Sequence, residues 1–339
     1  MWLILTDFKK YFSFLFLASF CSCQTSPIEV NKIEGFALGT TYSIILKEVP
    51  DVNKFELSLD SIFRVLNKSL STYVPNSDIS KINRGDSLQE VDIHFINVYN
   101  AATEVWRKSD GYFDPTVGAL VNAYGFGPGK ALKKISKQQR DSILMFTGWD
   151  KTILTDKKTI HKDHPSLYFD FNALAKGYAV DVIANFIKFK GGLDFLIEVG
   201  GEIMANGKSP KTNELWKVAI DDPQQGEKRR FAKVISLDDQ ALATSGNYRK
   251  YKTNKKTGQL LSHSINPKTG NAFPSMVLSA SVLAPNCMIA DAYATSLMVM
   301  PFNLGKAMIE NDPNLEAFWI IKNEKGIVQE FSSNGFSKE

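Results

Sequence analysis

AKGYAVDVIANFIKFKGGLDFLIEVGGE, residues 175–202, decides the fold class. Ala175–Lys190 repeats apolar residues at three-to-four spacing, the mark of a helix with one buried face. Gly191-Gly192 closes it, and Phe195-Leu196-Ile197-Glu198-Val199 follows as an apolar strand that ends in a second glycine pair, Gly200-Gly201. The same two periods recur on either side. Ala37–Lys47 is β-like, with Tyr42, Ile44 and Leu46 on one face, and Lys54–Ser71 sets Phe55, Leu59, Ile62, Phe63 and Leu66 at helical spacing. Phe95–Ser109 is another helix, with Gly111 as its C-cap. Strands are predicted at Trp216–Ile220, Arg230–Leu237, Gln240–Thr244 and Val277–Leu283, and a helix over Cys287–Met300. A doubly wound sheet would alternate strand and helix throughout. This chain does not, so the class is α+β, or mixed α/β. The basic stretch Lys250–Gly258 reads as a solvated turn, or else as a partner contact.

Composition narrows the function classes. With 44% hydrophobic and 22% charged residues in 339, the chain can bury a large core, which excludes disorder and coiled-coil architectures. Forty Lys+Arg against 36 Asp+Glu gives a net charge of +4, too small and too dispersed for a nucleic-acid binder. Three cysteines, two of them Cys21 and Cys23, make no disulfide framework, and a lone Cys287 argues against structural zinc.

The amino terminus stands apart. Lys9 and Lys10 precede the apolar run Phe12–Phe20 and then Cys21-Ser22-Cys23, the layout of a secretion signal. A nine-residue run, with Ser13 and Ser19 within it, falls short of the ~20 residues a helix needs to span a bilayer. The pattern resembles a bacterial lipoprotein signal, in which the cysteine after the cleavage point is acylated. Cys23, preceded by Ser22, suits that role better than Cys21, preceded by Phe20; simple secretion and an uncleaved anchor are the alternatives. The expected organisation is a signal peptide over 1–22, a tether over 23–30 and one catalytic unit over 31–339.

Short segments rich in Gly, Asp, Thr and Asn punctuate that unit. Gly39-Thr40-Thr41 brings backbone and hydroxyls together, as a phosphate or ribose needs, though a strand start explains it equally. Tyr73, in the turn after a helix, either stacks on a flat ring or pins the turn to the core. The stretch from Gly111 to Gly127 holds four glycines and four aromatics, a loop-rich pocket in which Asp114 caps the next helix on the simplest account. Asp170 to Asp181 places a carboxylate before a helix that starts near Lys176, suited to a charged ligand over a helix N-terminus. His263 lies in the turn-rich His263–Gly270. Asp291 and Thr295 are four apart on one helical face, and both present hard oxygens that suit Mg²⁺; taken alone they read as capping residues. No G-x-S-x-G, H-E-x-x-H, Walker A or dinucleotide glycine motif competes.

In this order, over residues 34–300, these segments resemble the ApbE family of flavin transferases. The residues that carry the likeness are Gly39-Thr40-Thr41, Ser71-Thr72-Tyr73 with Ser77-Asp78, Asp114 to Gly118 with Tyr124 to Gly127, Lys176-Gly177 with Asp181, Val199-Gly200-Gly201, Ala243 to Gly246, His263 to Gly270, and Ala290 to Thr295. The resemblance implies an ApbE-like, T-fold-like catalytic unit. It implies Mg²⁺-dependent transfer of FMN from FAD to a Thr or Ser hydroxyl of an acceptor flavoprotein, through a phosphoester bond, with AMP leaving. By family position, Asp291, Thr295 and the carbonyl of Ala173 hold the metal, Tyr73 packs on the flavin, and Leu38, Thr116, Asp170, Lys176 and Ile265 line the FAD site. His263 matches a histidine important for turnover and is nominated as general base, with a metal-proximal Asp as the other candidate. Two departures stand out: Leu38 replaces a common methionine, and Asn172-Ala173 replaces a small Gly/Ser pair that would also leave a carbonyl for the metal. The signal fits a protein lipid-anchored to the bacterial inner membrane and facing the periplasm. A FAD diphosphatase giving FMN and AMP, and a non-catalytic flavin-binding lipoprotein, are the rival readings.

Overall fold

Residues 37–47 form not one strand but the second half of a hairpin. In the computed structural model β1 (Val30–Ala37) pairs antiparallel with β2 (Thr40–Lys47) across the two-residue turn Leu38-Gly39. Both turn residues have positive φ, 52° and 75°, the conformation whose twist matches flanking strands. β1 escapes a reading by period because only Ile33 of its residues is buried. The structure describes residues 30–336 except 49–50, 225–227, 248–250, 254–259 and 273–274. The expected signal and lipidation site Cys23 therefore lie outside the described residues, as does most of Lys250–Gly258.

From the hairpin the chain enters α1 (Val52–Leu70), whose Phe55, Leu59, Phe63 and Leu66 are buried at the spacing the sequence sets. Three helices follow, α2 (Asp78–Asn83), α3 (Ile93–Lys108) and α4 (Gly118–Tyr124). The end of α3 departs slightly from the glycine-cap reading. Asp110 takes the left-handed position (φ 50°), and Gly111 donates back to the Trp106 carbonyl at 2.8 Å, a Schellman closure. Beyond α5 (Lys137–Leu144) lie the paired short strands β3 (Thr152–Leu154) and β4 (Ile160–Lys162). Then come α6 (Ala175–Phe189), β5 (Phe195–Val199) and β6 (Glu202–Asn206), joined by Gly200-Gly201 in a tight hairpin turn. The hairpin β7 (Trp216–Asp221) with β8 (Phe231–Leu237) precedes β9 (Ala241–Gly246). A small pair, β10 (Tyr251–Thr253) with β11 (Leu260–Ser262), leads to β12 (Val277–Ala284), α7 (Cys287–Leu297), α8 (Phe302–Glu310), β13 (Glu316–Lys322) and β14 (Val328–Ser332).

One antiparallel eight-stranded sheet organises all this, in the order β1-β2-β5-β6-β9-β12-β13-β14. Segregated helices on an antiparallel sheet make the class α+β, as expected. α1, α3, α6 and α7 cover one face of the sheet, while Trp216, Val218, Ile235 and Leu237 of the β7–β8 hairpin pack on the other. β13 shows the consequence: Trp319 and Ile321 enter the first core, Phe318 and Ile320 the second, so the strand is apolar on both faces.

α7 is the helix that positions the site. Its small residues Cys287, Ala290, Ala292 and Ala294 are fully buried, which lets α6 approach until a Cβ on Gly177 would stand 2.3 Å from the Cys287 carbonyl oxygen. The start of α7 is held by side chains. Asn286 accepts from the Ile289 amide at 3.0 Å, and the Asp181 carboxylate of α6 accepts from the Cys287 and Met288 amides at 2.7 and 2.9 Å. Burial pushes the Asp181 carboxyl up to about 6, with those two amides acting in the opposite direction. Since Asn286 and Asp181 do the capping, Asp291 and Thr295 are free of it.

Candidate functional site

At one end of the sheet the Leu38-Gly39 turn, the Gly200-Gly201 turn, the C-terminus of α1 and the N-terminus of α6 surround a cavity of about 1500 Å³. Leu38, Tyr73, Asp170, Ala173, Lys176, His263, Ile265, Asp291 and Thr295, all nominated from the sequence, line it. Thr116 does not. Its side chain is fully buried, donates to Asp114 at 2.6 Å and accepts from the Gly148 amide at 2.7 Å, so it ties two loops together while its neighbours Pro115 and Val117 face the cavity.

Asp114 belongs to the same tie and not to a helix cap. It accepts from the Thr116 amide at 2.8 Å and from the Trp149 amide at 3.0 Å, whereas α4 starts at Val117 without a side-chain cap. Burial pushes its carboxyl up to about 6, and its three hydrogen bonds hold it from rising further. Asp170 at the cavity wall is also raised by burial, opposed by its bond from the Asn172 amide at 2.9 Å.

The charged centre lies where α6, β6 and α7 meet. Lys176 reaches Glu202 Oε1 at 2.7 Å and Asp291 Oδ2 at 3.6 Å. Burial would lower the ammonium's pKa, but the two carboxylates outweigh it and hold Lys176 charged. Asp291 is 3% exposed; burial raises its pKa, Lys176 opposes the rise and Glu202 adds to it. Two carboxylates thus share one ammonium, an excess of negative charge that a cation would relieve. Glu202 was not singled out by the sequence reading. Its only signal is a carboxylate directly after a glycine pair at a strand start, and its buried Oε2 has no hydrogen-bond partner.

The donor set fits Mg²⁺ on a structural ground. Gly177, whose amide in the first turn of α6 has no acceptor within the helix, donates it to Asp291 Oδ2 at 3.2 Å. Among the described residues no donor reaches the Ala173 carbonyl, and Ala173, Asp291 and Thr295 line the same cavity, where each can offer a hard oxygen. Thr295 Oγ1 and Ser245 Oγ are 3.2 Å apart, which steers the threonine from the strand side.

Aromatic and imidazole groups face this centre. Tyr73 is 59% exposed, its ring free to receive a flat ligand, with only a 3.4 Å bond from its hydroxyl to the Phe126 carbonyl. That exposure removes the alternative in which it pins the turn to the core. The His263 ring meets Phe126 edge-on at 6.4 Å. Its loop is held on both sides. Ser262 donates its amide to Ala272 and its hydroxyl to Asn247, and the Asn266 side chain accepts from the amides of Lys268 and Thr269.

Leu38 at φ 52° is a leucine where a hairpin turn favours Asn or Gly. Leu38→Asn should therefore stabilise the fold by about 1 kcal/mol while removing an apolar contact from the cavity wall. Thermal unfolding and FAD titration check this together; an unchanged midpoint would show that the turn is unstrained.

Comparison with known proteins gives the family. Residues 38–319 match the model of the ApbE family. A curated FAD:protein FMN transferase of Vibrio cholerae is 32% identical over 91% of this chain and 92% of its own length. One from Haemophilus influenzae is 31% identical over 94% of each. The solved structure of the flavin transferase ApbE from Vibrio cholerae superimposes with a TM-score of 0.83, covering 91% of this chain and 99% of that one, at 32% identity.

Proposed function

The chain belongs to the ApbE family, and from that premise we propose that it transfers FMN from FAD to a Thr or Ser hydroxyl of an acceptor flavoprotein, releasing AMP. The observation that carries this reading is the convergence of Tyr73, Lys176, Asp291, Thr295 and His263 on one cavity. At about 1500 Å³ it exceeds the roughly 300–1,000 Å³ of ordinary small-molecule sites, leaving room for a dinucleotide and for a segment of a second protein.

Each residue then has a task. Tyr73 and Leu38 take the flavin ring, and Ile265 and Asp170 line the rest of the FAD site. Lys176, kept charged by its carboxylates, faces the diphosphate. Asp291, Thr295 and the Ala173 carbonyl would hold Mg²⁺, which when bound neutralises phosphate charge. The acceptor hydroxyl oxygen bonds to the flavin-side phosphorus, the bond from that phosphorus to the AMP oxygen breaks, and AMP leaves with the electron pair. His263, on the wall of the same cavity, takes the hydroxyl proton.

Upstream of the described residues, we read 1–22 as a signal, Cys23 as the acylated residue and the stretch from there to residue 29 as a tether that holds the enzyme on the outer face of the inner membrane; Val30, expected in the tether, is already the first residue of β1. Among the described residues no helix is long and apolar enough to cross a membrane.

Incubation with FAD, Mg²⁺ and a purified acceptor flavoprotein, followed by intact mass measurement, should show one FMN added to the acceptor. FMN and AMP in solution with an unmodified acceptor would favour the diphosphatase. FAD left intact would remove both.

A further inference from the structure

Phe189 and Leu193 are 83% and 67% exposed, four residues apart at the end of α6, so that two large apolar side chains share one tip. They flank the turn Lys190-Gly191-Gly192, in which Gly191 has φ 85°. Exposed Lys188 and Lys190 stand beside them, and the Lys190 ammonium lies 5.7 Å from the Phe189 ring centroid. This tip is the far end of the molecule from the cavity. α6 begins in the cavity at Ala175 and runs 15 residues to Phe189, about 22 Å of helix. Sheet register says the same. The cavity-side turns Leu38-Gly39 and Gly200-Gly201 lie at one end of β1, β2 and β5, and Val30, Lys47 and Phe195 at the other, with the Lys47 amide bonded to the Asp194 carbonyl at 3.2 Å.

Val30 is where the chain enters the fold, seven residues after Cys23, and seven residues reach at most ~25 Å. An acyl chain on Cys23 would thus hold a bilayer within ~25 Å of this end. Lys47 and Lys208 add to the basic side chains here; Glu48 and Asp194 oppose them, the latter already accepting the Lys208 amide at 2.9 Å. Exposed aromatic and aliphatic side chains ringed by lysines suit the headgroup level of an anionic leaflet.

We infer that the tip formed by Phe189 and Leu193, with Lys188, Lys190 and Lys47, is a lipid-contact face that seats the enzyme on the membrane with its cavity pointing away. The inference rests on the acylation of Cys23 for its geometry, not for the chemistry of the tip. It aims the FAD and acceptor opening outward by the length of the sheet and α6, rather than leaving the domain to tumble on its tether.

The test is tryptophan quenching by brominated lipid in the full, acylated chain on vesicles of phosphatidylethanolamine and phosphatidylglycerol, read as the difference from wild type. F189W should be quenched about twofold or more, and L88W, on the exposed loop after α2, should not. Quenching of F189W that persists in a Cys23→Ser background would show the face binding lipid by itself. Vesicle-bound protein in which Trp at 189 is no better quenched than Trp at 88 overturns the face while leaving the anchor. A chain that stays in solution, unquenched, overturns both. A Trp at 189 already blue-shifted before vesicles are added makes the tip a protein interface and overturns the lipid reading.

Discussion

Asp291→Asn should lower FMN transfer by about 10²–10³-fold, since stabilising phosphoryl charge with a metal is worth several kcal/mol and each 1.36 kcal/mol is tenfold in rate. The carboxylate is the one anionic group among the three proposed ligands, and an amide oxygen cannot replace its charge. The fold should survive. Asn still offers an oxygen to the Gly177 amide, now at 3.2 Å from Oδ2, and α7 stays capped by Asn286 and Asp181. Lys176 keeps its shorter partner, Glu202 at 2.7 Å. The substitution also removes a carboxylate whose burial disfavours its charge, so the unfolding midpoint should hold or rise. Magnesium titrations of transfer, run beside thermal unfolding, read both quantities. Unchanged magnesium dependence in a folded variant would take Asp291 out of the metal site.

Long periodic elements were legible in the sequence because packing on one face writes the period. α1, α3, α6 and α7 begin and end within a few residues of their predicted limits. What escaped was built by other forces. α5 has no buried residue and is held by a capping box, Ser136 with Gln139, so it leaves no apolar period to read. β13 buries both faces and presents an unbroken apolar run, which periodicity does not separate from a helix. β1 and β14 are edge strands with few buried residues.

The site divides in the same way. Asp291 and Thr295 could be paired from spacing alone, because one helix carries both. Thr116 looked like a cavity residue, and only the packed fold shows its hydroxyl committed to Asp114 and Gly148. Glu202 lies 26 residues along the chain from Lys176, and the contact between them exists because the β5–β6 turn returns the chain beside α6. No local pattern encodes that meeting.

His263→Ala should separate binding from chemistry. Tyr73, Asp170 and Lys176 line the cavity from the α1 turn, the segment before α6 and α6 itself, none of which depends on the imidazole for its position. FAD affinity should therefore stay near wild type. Transfer should fall by ~10²–10⁴-fold, the usual contribution of a positioned general base. The loop should keep its shape, because the Ser262 and Asn266 hydrogen bonds that fix it do not involve the His263 ring. Equal losses of affinity and transfer would make His263 a binding residue through its edge on Phe126 and the flavin beyond it. Near-normal transfer would instead leave proton removal to a carboxylate beside the metal, Asp291.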